Sequence, residues 1–289
     1  MTSKNLPKLI SINFLIFIVL LFGPGLAYST YKMTDNFRNS LKKKSSDARI
    51  NYPTYFNKKR ANQIYLDVLQ LKSKYRSFLG WQTEKISSKF TNVSGYYNTR
   101  SSVGESLENS FWFFGGSTVW GYGESDNQTI PSHFNKLTKQ SIHNFGENGW
   151  NSRQSLNQLM NLIGNGHTPK KVIFYDGLND AILQCRSDIK KLPNHPYEKK
   201  IRKKLSSEFN LNILSQNTLS FIINPYLKII NKSKNSNSNK SQFYNCDKDK
   251  IKSNRIANHL LNNWYIAYLI SKNNQSEFIG ILQPSIYTS

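Results

Sequence analysis

The sequence predicts an α/β fold with a mostly parallel sheet, and three observations predict it. Apolar strand-like runs alternate with helical patterns from residue 111 to residue 282. The runs beginning at Phe111, Ile142 and Lys171 each lead into a turn rich in Gly, Asn or Asp. The distance from one such turn to the next is about 30 residues, the length of one β-α repeat.

The elements follow in order. Lys4 and Lys8 precede an apolar stretch from Leu9 to Tyr28, unbroken from Phe14 to Phe22 and interrupted by Gly23-Pro24-Gly25. A membrane span needs about 20 such residues. Residues 1–31 are therefore expected to form a transmembrane helix that anchors the chain. A cleaved secretory signal with Ala27 and Ser29 near its cleavage site is the alternative. Lys42 to Lys44 also lie near the stretch and blunt the positive-inside signal.

Residues 32–107 read as a linker followed by an accessory region. The stretch 58–77 places Ile64, Val68 and Leu71 near helical spacing and predicts a helix. Residues 78–110 hold short strands broken at Gly80, Gly95 and Gly104. The main domain spans 108–289. In it Phe111 to Gly116 reads as a buried strand, and Ile130 to Gln140 as a helix with Pro131 in its first turn. Ile142 to Phe145 is a short strand. Ser152 to Ile163 is a helix with Leu156, Leu159, Met160 and Ile163 on its apolar face. Lys171 to Tyr175 is another buried strand, with a short helix after Asn179. A loop-rich insertion rich in Lys, Asn and Ser occupies about 186–250. Arg255 to Ile270 reads as a helix and Phe278 to Leu282 as a last strand.

The formal net charge is +22, from 39 Lys+Arg against 17 Asp+Glu, so nucleic acid must be considered as a partner. The lysines are scattered or lie in short runs, and no zinc finger, RNP motif or KH loop accompanies them. No nucleic acid is therefore expected; the basic faces suit anionic lipid headgroups or an acidic polysaccharide better. Cys185 and Cys246 lie too far apart for a redox or zinc Cys-x-x-Cys pair. Behind an export-like N-terminus they are expected to form one disulfide, with two separate buried thiols as the alternative. No His/Cys cluster and no P-loop is visible, so neither a metal nor a cofactor is expected.

Three blocks carry candidate chemistry. The first is Gly115-Gly116-Ser117-Thr118-Val119-Trp120-Gly121, where a buried strand ends. Glycines there permit the tight turn that presents a serine hydroxyl at the carboxyl edge of a sheet. Val119 stands where an α/β-hydrolase elbow would need its second glycine. The second block runs from Asn144 to Ser152 and contains Gly149, which could offer a free backbone N–H. Its plainer reading is a helix-capping loop with Asn151 or Ser152 as N-cap. The third is Tyr175-Asp176-Gly177-Leu178-Asn179-Asp180, where the plainer reading makes Asn179 or Asp180 a cap. Ser117 to Gly149 is 32 residues and Gly149 to Asn179 is 30, which places all three at one edge of the sheet. There a serine nucleophile would face three donors: its own N–H, the Gly149 N–H and the Asn179 amide.

These blocks resemble blocks I, II and III of the SGNH (GDSL-like) hydrolases, in an extracytoplasmic, membrane-associated branch that carries GGST in place of the more usual GDS. The resemblance covers about residues 108–284, and weakly the stretch 80–100. It implies a three-layer αβα, flavodoxin-like fold, with Ser117 as nucleophile and Ser117, Gly149 and Asn179 as oxyanion donors. The implied activity is hydrolysis or transfer of an acyl ester on an envelope glycan or lipid, outside the cytoplasm and at the membrane. The family's Asp-x-x-His block is absent. None of His133, His143, His167, His195 and His259 has Asp three residues before it, and none precedes Ser117. A serine without a base is a weak nucleophile. The chain is thus expected to be incomplete at its C-terminus, with little turnover of its own. The alternative is a non-catalytic envelope protein that binds glycan or lipid.

Overall fold

A computed structural model describes residues 10–19, 22–23, 30–31, 33–34, 47–101, 106–189, 195, 197 and 244–284. The chain divides into two compact units, one of Met1–Ser45 with Arg202–Ser241 and one of Ser46–Ile201 with Gln242–Ser289. In the first, the described residues 10–19 are helical. Ten helical residues rise about 15 Å, half of a hydrocarbon core about 30 Å thick. Among the described residues no helix is long and apolar enough to cross a membrane, so the expected anchor finds no support there. The rest of the Leu9–Tyr28 stretch lies outside the described residues apart from 22–23, as does nearly all of the insertion at 186–250.

The second unit is a mixed α/β body. Its first helix, α1 (Lys58–Leu69), starts at Asn57, whose side chain accepts from the Arg60 N–H. It buries Ala61, Ile64, Tyr65 and Val68, one helical face. The helix is shorter than the predicted 58–77. Ser73 to Arg76 instead form strand β1 (Ser73–Arg76), which pairs antiparallel with β2 (Gly80–Thr83). Cross-strand backbone bonds there replace the helical ones. Next come β3 (Ile86–Ser87), β4 (Asn92–Ser94) and β5 (Thr99–Arg100). Gly95 falls in the β4–β5 turn, Gly80 opens a strand instead of breaking one, and Gly104 lies outside the described residues.

The central strands are β6 (Phe111–Gly115), β7 (Ile142–Asn144), β8 (Lys171–Asp176) and β9 (Glu277–Leu282). Between them lie α2 (Ser117–Trp120), α3 (Ile130–Thr138), α4 (Ser152–Gly164), α5 (Leu178–Gln184) and α6 (Lys250–Asn273). The seven-stranded sheet has the order β3-β4-β5-β7-β6-β8-β9. Strands β7, β6, β8 and β9 run parallel, and β5 joins β7 antiparallel.

Strand β6 is buried throughout, because its side chains feed two cores. Trp112 and Phe114 pack with Phe145, Val172, Phe174, the α4 leucines Leu156, Leu159 and Leu162, and Ala267 of α6. Phe111 and Phe113 point the other way, into a cluster with Val119, Ile142, Ile173 and Phe134 of α3. An unbroken Phe-Trp-Phe-Phe run is what a strand covered on both faces requires. Cys185, just after α5, is disulfide-bonded to Cys246, just before α6.

Candidate active site

The chain leaves β6 for its neighbours on opposite sides: β7 lies on one flank and β8 on the other. Such a reversal of strand order opens a crevice at the carboxyl ends of the strands. Ser117 follows β6, and Asn179 follows β8, so the first and third blocks flank this crevice.

Ser117 is the first residue of α2, half-buried, with Gly116 as N-cap. Gly116 has ordinary backbone angles; its role is space. A Cβ there would come within 2.5 Å of Asn179 Nδ2 and 3.2 Å of the Trp150 carbonyl oxygen. Asn179 Nδ2 donates to that same carbonyl at 2.7 Å. Asn179 is therefore not a cap: α5 is capped by Gly177, and Asn179 lies within its first turn. One hydrogen of the Asn179 amide is committed to Trp150.

Gly149 sits in the turn closed by the Trp150 N–H donating to the Glu147 carbonyl. Its φ of +79° is the left-handed value demanded at the second central position of such a turn, where glycine is favoured. Strand β2 pins this turn. The Thr83 N–H and hydroxyl donate to the Glu147 carboxyl at 2.7 and 2.6 Å. The Trp81 indole donates to the Asn148 carbonyl, and the Trp150 indole donates back to the Trp81 carbonyl, both at 2.9 Å. Burial pushes the Glu147 carboxyl up to about 7, against the donors from Thr83 and Asn148 that pull it down.

The remaining polar residues of the blocks hold the blocks together. Asn151 caps α4 in a capping box with Gln154, one of the two expected caps. The Ser152 hydroxyl and N–H donate to the Asp180 carboxylate, which ties the second block to the third. The Asn144 amide donates to the Val119 carbonyl, which ties the second to the first. Asp176, at the end of β8, is fully buried, and burial together with the Asp180 charge raises its carboxyl well above the usual range.

Ser117 borders a cavity of about 360 Å³ with Thr118, Tyr122, Glu124 and Gln128. Burial raises the Glu124 carboxyl, with Arg60 and Arg100 opposing. Gln283, one residue beyond β9, donates from its amide to the Thr118 hydroxyl at 2.7 Å. The end of β9 thus reaches the residue next to Ser117.

Three of the five histidines are engaged away from Ser117. His143 is buried and hydrogen-bonded to the Ser106 carbonyl oxygen, and burial lowers its pKa. His167 lies between Glu108 and the Tyr97 hydroxyl. His259 meets the Asn263 amide on α6. His133 is exposed on α3. His195 is nearest the blocks, with Nε2 at 3.1 Å from the Gly149 carbonyl oxygen and its ring 4.6 Å from that of Trp81. Trp81, Thr83 and Glu147 fix the Gly149 turn; Glu147 lies within the second block and Trp81 and Thr83 in the weakly similar stretch 80–100, but the sequence assigns this role to none of them. Their signal is weak there, because Trp81 and Thr83 belong to a short strand more than 60 residues before the loop they hold.

Comparison with models of known protein families finds none that matches this chain, and comparison with curated proteins finds no match either. The functional reading therefore stands on the residues and their geometry.

Proposed function

We propose that the chain carries the nucleophile and oxyanion donors of a serine-dependent acyl-ester hydrolase or acyltransferase with a flavodoxin-like αβα body, similar to the SGNH hydrolases. Ser117 attacks the ester carbonyl. Its own N–H, the Gly149 N–H and the second hydrogen of the Asn179 amide receive the negative charge that develops on the carbonyl oxygen. The adduct collapses with cleavage of the ester C–O bond and release of the alcohol, and water or an acceptor hydroxyl then takes the acyl group from Ser117. The observation that carries this reading is the contact of Asn179 Nδ2 with Gly116, the residue before Ser117. Two strand ends far apart in sequence thereby meet at the reversal of strand order. The cavity beside Ser117 is near the lower end of the usual range for ligand sites. The Cys185–Cys246 bond supports a location outside the cytoplasm.

The test supplies the missing base from solution. The purified chain is assayed with p-nitrophenyl acetate at increasing imidazole, against Ser117→Ala under the same conditions. The expected outcome is imidazole-dependent release of p-nitrophenol above the free-imidazole background, lost in Ser117→Ala. Without imidazole, the donors and binding alone should leave at most about 10³–10⁴ of acceleration over water. Equal rates for both proteins at every imidazole concentration would remove Ser117 from the role.

A further inference from the structure

A second cleft, of about 860 Å³, lies between the β1–β2 hairpin, the β4–β5 turn and α4. Trp81 is turned to the Gly149 loop, while its neighbour Gln82 lines this cleft, so the two faces of β2 serve different places. The cleft is thus separate from the Ser117 cavity, and its ligand is independent of the esterase reading.

Two aromatic rings are displayed at its rim, one of them at a cost to the fold. Phe78 is 90% exposed and has φ of +65°. It occupies the second central position of the turn closed by the Leu79 N–H on the Arg76 carbonyl, a position that favours Gly or Asn. A bulky residue in the left-handed region is an outlier, and such outliers concentrate where function holds them. Tyr96 is 83% exposed in the β4–β5 turn, between Gly95 and Asn98, which both have positive φ. Tyr75 adds a third, half-exposed ring. Folding alone would place polar residues at both turn tips.

The polar lining narrows the ligand. Asn157, Gln158 and Asn161 of α4 supply amides, that of Asn157 with one hydrogen already on the Phe78 carbonyl. Gln158 is 1% exposed, and neither its amide N–H₂ nor its carbonyl oxygen has a partner among the described residues. A phosphate or carboxylate offers only acceptors and would satisfy half of that amide, whereas a sugar hydroxyl both donates and accepts. Aromatic faces suit the apolar C–H faces of a pyranose ring, with amides at its hydroxyl edges. The described lining also carries two cations, Arg76 and Lys85, and no carboxylate. The neighbouring Glu84 is paired with Lys74.

We infer that this cleft binds an acidic oligosaccharide, with Phe78 and Tyr96 as stacking platforms, the α4 amides on the hydroxyls, and Arg76 and Lys85 on the carboxylates.

The test is calorimetric titration of the full chain with a hexagalacturonate, beside neutral N-acetylchitohexaose and a single-stranded hexanucleotide. The expected result is binding of the hexagalacturonate, weakened by added salt and at least about tenfold tighter than either comparison ligand. Phe78→Asn combined with Tyr96→Ser should weaken it at least about tenfold. The Phe78→Asn protein should melt no lower than the parent, because Asn tolerates the left-handed turn position; loss of binding is then not loss of fold. Ser117→Ala should bind as the parent does. No binding of hexagalacturonate at millimolar concentration, unchanged affinity in the double variant, or tighter binding of the chitohexaose or the oligonucleotide would each overturn the inference.

Discussion

Gly116→Ala tests the meeting of the first and third blocks without any assay of activity. The new methyl would lie 2.5 Å from Asn179 Nδ2 and 3.2 Å from the Trp150 carbonyl oxygen. The first distance is too short for any Cβ contact, so the Asn179 amide must move. Overpacking of this kind costs about 1–3 kcal/mol. The displaced amide also gives up its 2.7 Å bond to Trp150, worth about 1 kcal/mol. The sum is about 2–4 kcal/mol, a fall in melting temperature of roughly 5–15 °C for a body of this size. The decisive comparison is a double-mutant cycle with Asn179→Ala. Once the amide is gone, Gly116→Ala meets only the tight Trp150 oxygen and should cost less than about 1 kcal/mol. Urea melts of the four proteins give a coupling energy, expected at about 1–3 kcal/mol. Costs that add within about 0.5 kcal/mol would mean that Asn179 does not lie over Gly116, and the proposed site would lose its geometry.

Three further outcomes concern the disulfide and two buried charged groups. Labelling of the folded protein with a thiol reagent should leave Cys185 and Cys246 unreacted until reductant is added, and reduction should cost about 4 kcal/mol for a sequence separation of 61; two thiols reactive before reduction would contradict the bond. Glu147 has its carboxyl raised in the folded state from 4.5 to about 7, so its contribution is present in full below about pH 4.5, declines as pH rises, and is gone above about 7. That is a loss of about 3 kcal/mol across the window, and Glu147→Gln should flatten this part of the profile while lowering stability overall, as the amide N–H₂ would stand where the second carboxyl oxygen accepts the Thr83 N–H. Arg100, fully buried, donates to Asp126 and to the carbonyls of Trp120, Gly121 and Glu124; Arg100→Met should cost about 3–5 kcal/mol by stranding those acceptors, and a melt within 1 kcal/mol of the parent would contradict that network.

The parts of the fold that are legible in the sequence are those whose pattern follows from burial on both faces. Phe111 to Phe114 and Val172 to Phe174 are continuous apolar runs because cores press on both sides of β6 and β8. The helix of Leu156, Leu159 and Leu162 is legible for the complementary reason, one apolar stripe against one sheet face. The region before residue 108 is less legible. Its strands are two to four residues long, and β1 is exposed at all four positions, so no alternation marks it. Tyr75 and Leu71 then pass for a continuation of helical spacing. The pairing of β1 with β2 is set by backbone bonds and by the turn at 77–79, which periodicity does not register.

Within the site, counting residues places the three blocks at one sheet edge but does not reveal the work of their polar side chains. Counting says only that Ser117, Gly149 and Asn179 follow successive strands. It leaves Ser152 and Asp180 as candidate helix caps and Asn144 with no assigned partner. In the fold each binds one block to another: Asp180 takes the Ser152 N–H and hydroxyl, and Asn144 reaches the Val119 carbonyl. This division has a physical reason. An oxyanion donor acts on charge that exists only in the transition state, so it must be held in place before the charge appears. Loops at strand ends have few apolar contacts to hold them, and hydrogen bonds between buried neighbours are the substitute. The excess of Asn, Asp and Ser around the three proposed donors is therefore the scaffold of the crevice. A variant such as Asp180→Ala should first be read as a loss of positioning between the second and third blocks, with stability and geometry failing together.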